Sequence, residues 1–192
     1  MTEPGSASEA SAEVGTELQL GPLERPVRLS RPRLKSFEYV GQHAYHVVMV
    51  TNRRVPVFED WSFAQACIAF LEETAVATDF DLLAYCLMPD HLHLSAQGRT
   101  DKAQFIGFIQ RFKQRSGYHF KCESSDRLWQ PSYFERILRR DEDLQATANY
   151  VLLNPVTNGL VTAAGDYRFS GGLCWTGVLP DRAEAPSLHR DS

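Results

Sequence analysis

The sequence predicts an α+β fold, on three observations. Residues 45–51, 80–87 and 91–97 are apolar or alternating runs of strand length. Residues 60–78 and 101–121 repeat apolar side chains at helical spacing. A further short run at 132–138 follows the second helical stretch. In chain order these read βαββαβ, the ferredoxin-like arrangement of an antiparallel sheet with both helices on one face. An additional C-terminal helix follows and carries a tyrosine, Tyr150.

Each element has its own warrant. Tyr45-His46-Val47-Val48-Met49-Val50-Thr51 is β-branched and nearly apolar throughout, as a central strand is. In 60–78, Phe63, Cys67, Phe70, Leu71 and Thr74 mark one helix face, and Asp60 is placed to cap it. Residues 80–87 form the second strand, Met88-Pro89-Asp90 a tight connection, and 91–97 an antiparallel third. Phe105, Phe108, Ile109, Phe112 and Ser116 share one side of the second helix. Residues 132–138 are the fourth strand. Asp141 is placed to cap the third helix, and Glu142 and Asp143 suit the positive end of its dipole. Leu144, Ala148, Val151 and Leu152 form its apolar stripe, and Pro155 is expected to end it. At 100° per residue the stripe centres near about 25° and Tyr150 lies near about 240°, off the packed side. Asn154, one turn on, shares the face of Tyr150.

At 192 residues the chain suits one domain with tails. Residues 1–30, rich in Gly, Ser, Ala, Glu and Pro, read as a disordered acidic tail, 31–175 as the domain, and 176–192 as a flexible end. The net charge of −4 hides an uneven distribution. Residues 1–24 carry five glutamates and no Lys or Arg, whereas 99–140 carry ten Lys or Arg against four acids, a local excess of 10 − 4 = +6. The four cysteines are widely spaced without a C-x-x-C pair, which argues against a structural zinc site or a disulfide framework. With no signal-like start and no apolar run of about 18 residues, a soluble cytoplasmic protein is expected.

The residues that bear chemistry are His91 and His93. Alternation places both on one side of the third strand, with Leu92 and Leu94 on the other. Two imidazoles side by side are half of a divalent-metal site. Alone, they fit equally well a pair of half-exposed strand histidines with no ligand. Tyr150 alone fits a helix-surface tyrosine, with Tyr118 and Tyr133 as rivals for a nucleophile. Asn154 fits a helix cap as well as a ligand. His46 reads better as a hydrogen-bonded strand histidine than as a ligand.

Together these stretches resemble the single-tyrosine transposases of the HUH endonuclease superfamily, and among them the REP-associated tyrosine transposases of bacteria. The matching residues are Tyr45-His46-Val47, Met88-Pro89-Asp90-His91-Leu92-His93, Leu128-Trp129-Gln130 with Tyr133-Phe134, Arg139-Arg140-Asp141-Glu142-Asp143-Leu144, and Tyr150-Val151-Leu152-Leu153-Asn154-Pro155-Val156 with Gly159-Leu160. The resemblance implies a metal-dependent nickase and ligase of single-stranded or hairpin DNA. It implies that Tyr150 is the nucleophile and forms a 5′-phosphotyrosine. His91, His93 and Asn154 would hold Mg²⁺ or Mn²⁺. It also implies a nucleoid-associated bacterial protein and leaves monomer or homodimer open.

Arg111, Lys113, Arg115, Arg136, Arg139 and Arg140 are the candidate phosphate contacts, and Trp129 with Tyr133 and Phe134 the candidate base-stacking surfaces. Trp129 fits the core slightly better. Two other readings use the same fold: a hairpin-binding regulator that no longer transposes, and an RNA-binding module. The second expects exposed aromatics where the third strand carries histidines.

Overall fold

The computed structural model describes residues 37–138 and 141–174. The predicted tails, Arg139, Arg140 and the side chains of Asp141, Glu142 and Asp143 lie outside the described residues. The elements are β1 (Ala44–Val50), α1 (Trp61–Ala77), β2 (Phe80–Met88), β3 (His91–Gly98), α2 (Phe105–Lys121), β4 (Phe134–Leu138), α3 (Asp141–Thr157) and β5 (Ser170–Gly171). They form one antiparallel sheet in the order β4-β1-β3-β2-β5. The first four strands have the ferredoxin-like order expected. Among the described residues, no helix is long and apolar enough to cross a membrane.

The two faces of the sheet do different jobs. Tyr45, Val47 and Met49 of β1 and Leu92, Leu94 and Ala96 of β3 point into the main core with α1 and α2. There Phe63, Cys67 and Leu71 of α1 meet Phe105, Phe108, Ile109 and Phe112 of α2, each buried Phe or Leu contributing about 1.5–3 kcal/mol. Tyr45 stacks on Phe105 with ring centroids 3.8 Å apart. The Asp60 carboxylate caps α1 by accepting from the Phe63 N–H at 2.9 Å. On the opposite face a second, smaller cluster joins Ala84, Cys86 and Met88 of β2 to Ala148, Val151 and Leu152 of α3. Small residues on both partners let α3 lie close over β2. The β1 and β4 half of that face is left outside this cluster.

The structure corrects three boundaries. The second helix starts at Phe105 rather than 101, and the fourth strand at Phe134 rather than 132. More consequentially, Pro155 does not end α3, which runs on to Thr157. Proline removes the N–H that the Val151 carbonyl would have bound. The Asn154 side chain compensates, its Nδ2 lying 3.4 Å from Val151 O and 2.7 Å from Tyr150 O. The helix ends instead at Gly159, which has φ of 71°. Leu160 N donates to Pro155 O and Gly159 N to Val156 O, the paired bonds of a Schellman cap.

β5 was not foreseen. Tyr85 pairs with Gly171 and Cys86 with Ser170, beside a bulge between Leu82 and Ala84. Gly172 then crosses the bulge at φ of 123°, where a Cβ would stand 2.6 Å from Leu83 O. Only glycine fits that approach.

Candidate active site

β3 builds the first half of the site. Its alternation puts His91 and His93 on one face, as expected; that face lies under α3, and neither ring is half-exposed. His91 is 8% and His93 2% exposed, because α3 and the β2–β3 turn cover them. Their Nε2 atoms lie 3.0 Å apart. Asp90 sets the direction of that contact. Its Oδ1 is 2.5 Å from His91 Nδ1, so the His91 proton belongs on Nδ1 and Nε2 presents a lone pair. His93 Nε2 then carries the proton between the two rings, an assignment made from the hydrogen-bond network. His93 Nδ1 is left buried without a partner.

The electrostatics keep His93 and His46 neutral. Burial pushes His93 well below the ordinary histidine range, and the neighbouring His91 and His46 push it further. Burial first, and then the charge of Arg136, lower His46 to about 4. Neutral imidazole is the form a metal requires. Burial alone would raise the Asp90 carboxyl, but its partners His91 and Arg54 outweigh it and hold it below the usual value.

α3 supplies the second half. Tyr150 sits off the buried stripe, and its 38% exposure keeps the side chain within reach of solvent. The ring nevertheless leans back onto the sheet of the same chain. Its centroid is 5.6 Å from that of His46 and 5.8 Å from that of His93, edge-on to both. Burial raises the hydroxyl above its ordinary pKa, and the neighbouring Asn154 side chain opposes that rise. Asn154 is buried at 4% and spends its amide nitrogen on its own helix, leaving Oδ1 as its acceptor.

His46 has more to do here than its strand pattern suggested. Its ring lies between Tyr150, His93 and Phe134, and its Nε2 is buried with no hydrogen-bond partner. The available signal was its register: His46 on β1 and Ser95 on β3 are paired two residues from His93, on the same face.

The basic candidates separate by layer. Arg136 pairs in register with His46 on β4, so it lies on the histidine face and is exposed. Phe134, also on that face, meets His46 edge to face. Arg111, Lys113 and Arg115 do not join them, because α2 packs on the other side of the sheet. Arg115 is paired with Glu73 and lies over Phe70. Lys113 donates to the carbonyls of Gln130 and Pro131. Trp129 offers no surface to a base: it is 5% exposed and donates from Nε1 to Ser116 Oγ at 2.8 Å. Tyr118 (74% exposed) and Tyr133 lie on the α2 side, remote from the histidines.

A cation would find two convergent ring nitrogens here, one already oriented by a carboxylate. The orphaned His93 Nδ1 can take the proton that His93 Nε2 would have to give up. The donor set therefore fits a divalent ion. Among the described residues, no cluster of three or more His, Cys, Asp or Glu surrounds it, so from those residues a further ligand would be an uncharged group such as the Asn154 amide.

Known proteins resemble this chain in sequence and in fold. A REP-associated tyrosine transposase of Escherichia coli K12 is 26% identical over 94 residues, 47% of this chain. A Haemophilus influenzae protein assigned to the same group is 26% identical over 110 residues, 52% of this chain. The chain spans 53% and 62% of the length of these two relatives. The solved structure of a REP-associated tyrosine transposase bound to a REP hairpin superimposes with a TM-score of 0.61 at 19% identity. The superposition covers 83% of this chain and all of that one, and it shows the shared fold. The family model described as "Transposase IS200 like" matches residues 39–153, well over half of the chain and a stretch that includes His91, His93 and Tyr150. The chain belongs to the IS200-like transposase family.

Proposed function

We propose that the protein is a metal-dependent nickase and ligase of single-stranded or hairpin DNA, with Tyr150 as its nucleophile. The observation that carries this reading is the meeting, within one chain, of the Tyr150 ring with the face that holds His91 and His93. In this reading both halves of the site come from one chain. The hairpin held by the solved relative supports hairpin DNA as the substrate.

In this reading Tyr150 Oη attacks the scissile phosphorus. The O–P bond forms as the bond from phosphorus to the 3′ oxygen breaks, leaving a 5′-phosphotyrosine and a free 3′-OH. The phenol loses its proton and the departing 3′ oxygen gains one. The reverse step, with the 3′-OH of another strand, rejoins DNA without a further energy source because the phosphotyrosine conserves the bond. His91 and His93, with Asn154 Oδ1 as a third donor, would hold Mg²⁺ or Mn²⁺. When bound, such an ion would lower the repulsion between phenolate and phosphate and steady charge on the phosphoryl oxygens. Asp90 holds His91 in the ligating tautomer. Burial of His93 keeps it neutral. α3 delivers the tyrosine from the flank of the open β1 and β4 half, along which Arg136 and Phe134 offer a charge to phosphate and a face to a base.

The test is covalent capture. Wild type and Tyr150→Phe are incubated with a 5′- and 3′-labelled hairpin and Mn²⁺, then denatured. Wild type should carry label from the 3′ side of the nick, and Tyr150→Phe should carry none. An adduct that persists in Tyr150→Phe overturns the assignment. Tight hairpin binding by wild type with no nicking in Mg²⁺ or Mn²⁺ favours the regulator that binds without cutting.

A further inference from the structure

The loop after β1 is bound to the β2–β3 turn more closely than a connection requires. Arg53 and Arg54 both have φ of 56°, the left-handed region that non-glycine residues seldom enter and that tends to mark functional sites. The loop around them is tied to the turn at three points. Thr51 N donates to Asp90 O at 2.9 Å. Thr51 Oγ1 lies 3.0 Å from the same oxygen and 2.8 Å from Val55 O. Phe58 N donates to Pro89 O at 3.1 Å. The outcome is that Arg54 Nη1 reaches Asp90 Oδ2 at 2.7 Å. The two oxygens of one carboxylate are thus divided between two partners, Oδ2 to Arg54 and Oδ1 to His91.

The energy of an exposed ion pair does not by itself account for this arrangement. Arg54 is 39% exposed, and exposed ion pairs contribute little to folding. A carboxylate free to rotate could offer His91 either oxygen, or neither. One clamped at Oδ2 can only present Oδ1.

We propose that Arg54 is a positioning residue: acting through Asp90, it keeps the His91 proton on Nδ1 and aims Nε2, as a lone pair, toward His93 and a divalent cation. The proposal rests on the metal reading given above. Carboxylates behind ligating histidines are known to fix the ring and its tautomer in metal sites generally. The additional claim is that an arginine on a left-handed loop fixes the carboxylate.

Two readouts on the full chain test it. In metal-free protein, imidazole ¹⁵N chemical shifts report the His91 tautomer. Wild type should show the Nδ1–H form, and Arg54→Gln a mixture of both tautomers, with Arg54→Lys restoring much of the wild-type population. Mn²⁺ affinity, by calorimetry or by loss of the free-ion resonance signal, should fall about 10-fold in Arg54→Gln and about 10- to 100-fold in Asp90→Ala. Thermal unfolding confirms that each variant is folded. If Arg54→Gln keeps both the wild-type tautomer and an affinity within twofold, Arg54 has no such role, whatever Asp90→Ala does. If wild type binds no Mn²⁺, the metal reading fails on its own account, and the metal-free tautomers still decide whether Arg54 positions His91.

Discussion

Acid should destabilise this fold at a pH where its carboxylates are still ionised, and His46 is the reason. Burial and Arg136 lower its folded-state pKa to about 4, against about 6.5 in the unfolded chain. As pH falls below about 6.5 the unfolded chain takes a proton that the folded one refuses, so stability drops until the folded ring also protonates near 4. For one such group, linkage gives a loss of about 2 kcal/mol at pH 5 and about 3 kcal/mol at pH 4 relative to pH 8. His93, lowered by the same burial, adds a loss of the same sign. For a chain of this size a loss of 2 kcal/mol lowers Tm by about 4–8 °C. Urea unfolding followed by circular dichroism at pH 7, 6 and 5, with chelator present, measures it. His46→Gln cannot titrate, so its loss between pH 7 and 5 should be smaller than that of wild type by about 2 kcal/mol. Equal losses in the two proteins would refute the account of His46. Asp90 acts in a separate window: its depressed carboxyl supports the fold above about 3.9 and ceases to do so only as pH falls through its lower folded value.

Further expectations follow from burial and register. Trp129→Ala should cost about 3–5 kcal/mol in urea unfolding, since it empties a buried ring site and removes the donor to Ser116 Oγ; a loss under 1 kcal/mol would contradict its place in the core. Gly172→Ala, forced against Leu83 O, should speed exchange of the Tyr85 and Cys86 amides at the β5 edge while the β1 and β3 amides stay protected. In hairpin-binding titrations across salt, Arg136→Ala should lower the slope of log affinity against log salt by about 1, whereas Arg115→Ala, on the other layer and paired with Glu73, should leave it unchanged.

The ferredoxin-like order was legible because strand and helix periods switch cleanly along the chain, and the His91-Leu92-His93-Leu94 alternation named the faces of β3 correctly. The offset of Tyr150 from the α3 stripe was also readable, since it depends only on 100° per residue. What escaped was whatever depends on a second element. Proline reads as a stop, yet Asn154 and the Gly159 cap carry α3 past it. The basic count of 99–140 contained no information about layers, so it joined Arg136 to α2 residues that face the other way. His46 looked like an ordinary strand histidine until β1–β3 register set it beside His93. A two-residue strand such as β5 has no periodicity to read.

The two hydrophobic clusters share no residue, and the sheet lies between them. Cooperativity should divide along that plane. The main core gathers β1, β2, β3, α1 and α2 from well-separated parts of the chain, whereas α3 is held by small and aliphatic contacts over β2. The tyrosine helix is thus a unit that can open while the remainder stays folded. Native-state hydrogen exchange should find the Val151 and Leu152 amides exchanging at a lower free energy than those of Val47 and Leu94. On the proposed mechanism, a protein arranged this way carries Tyr150 on the part of the fold that opens at the lowest free energy.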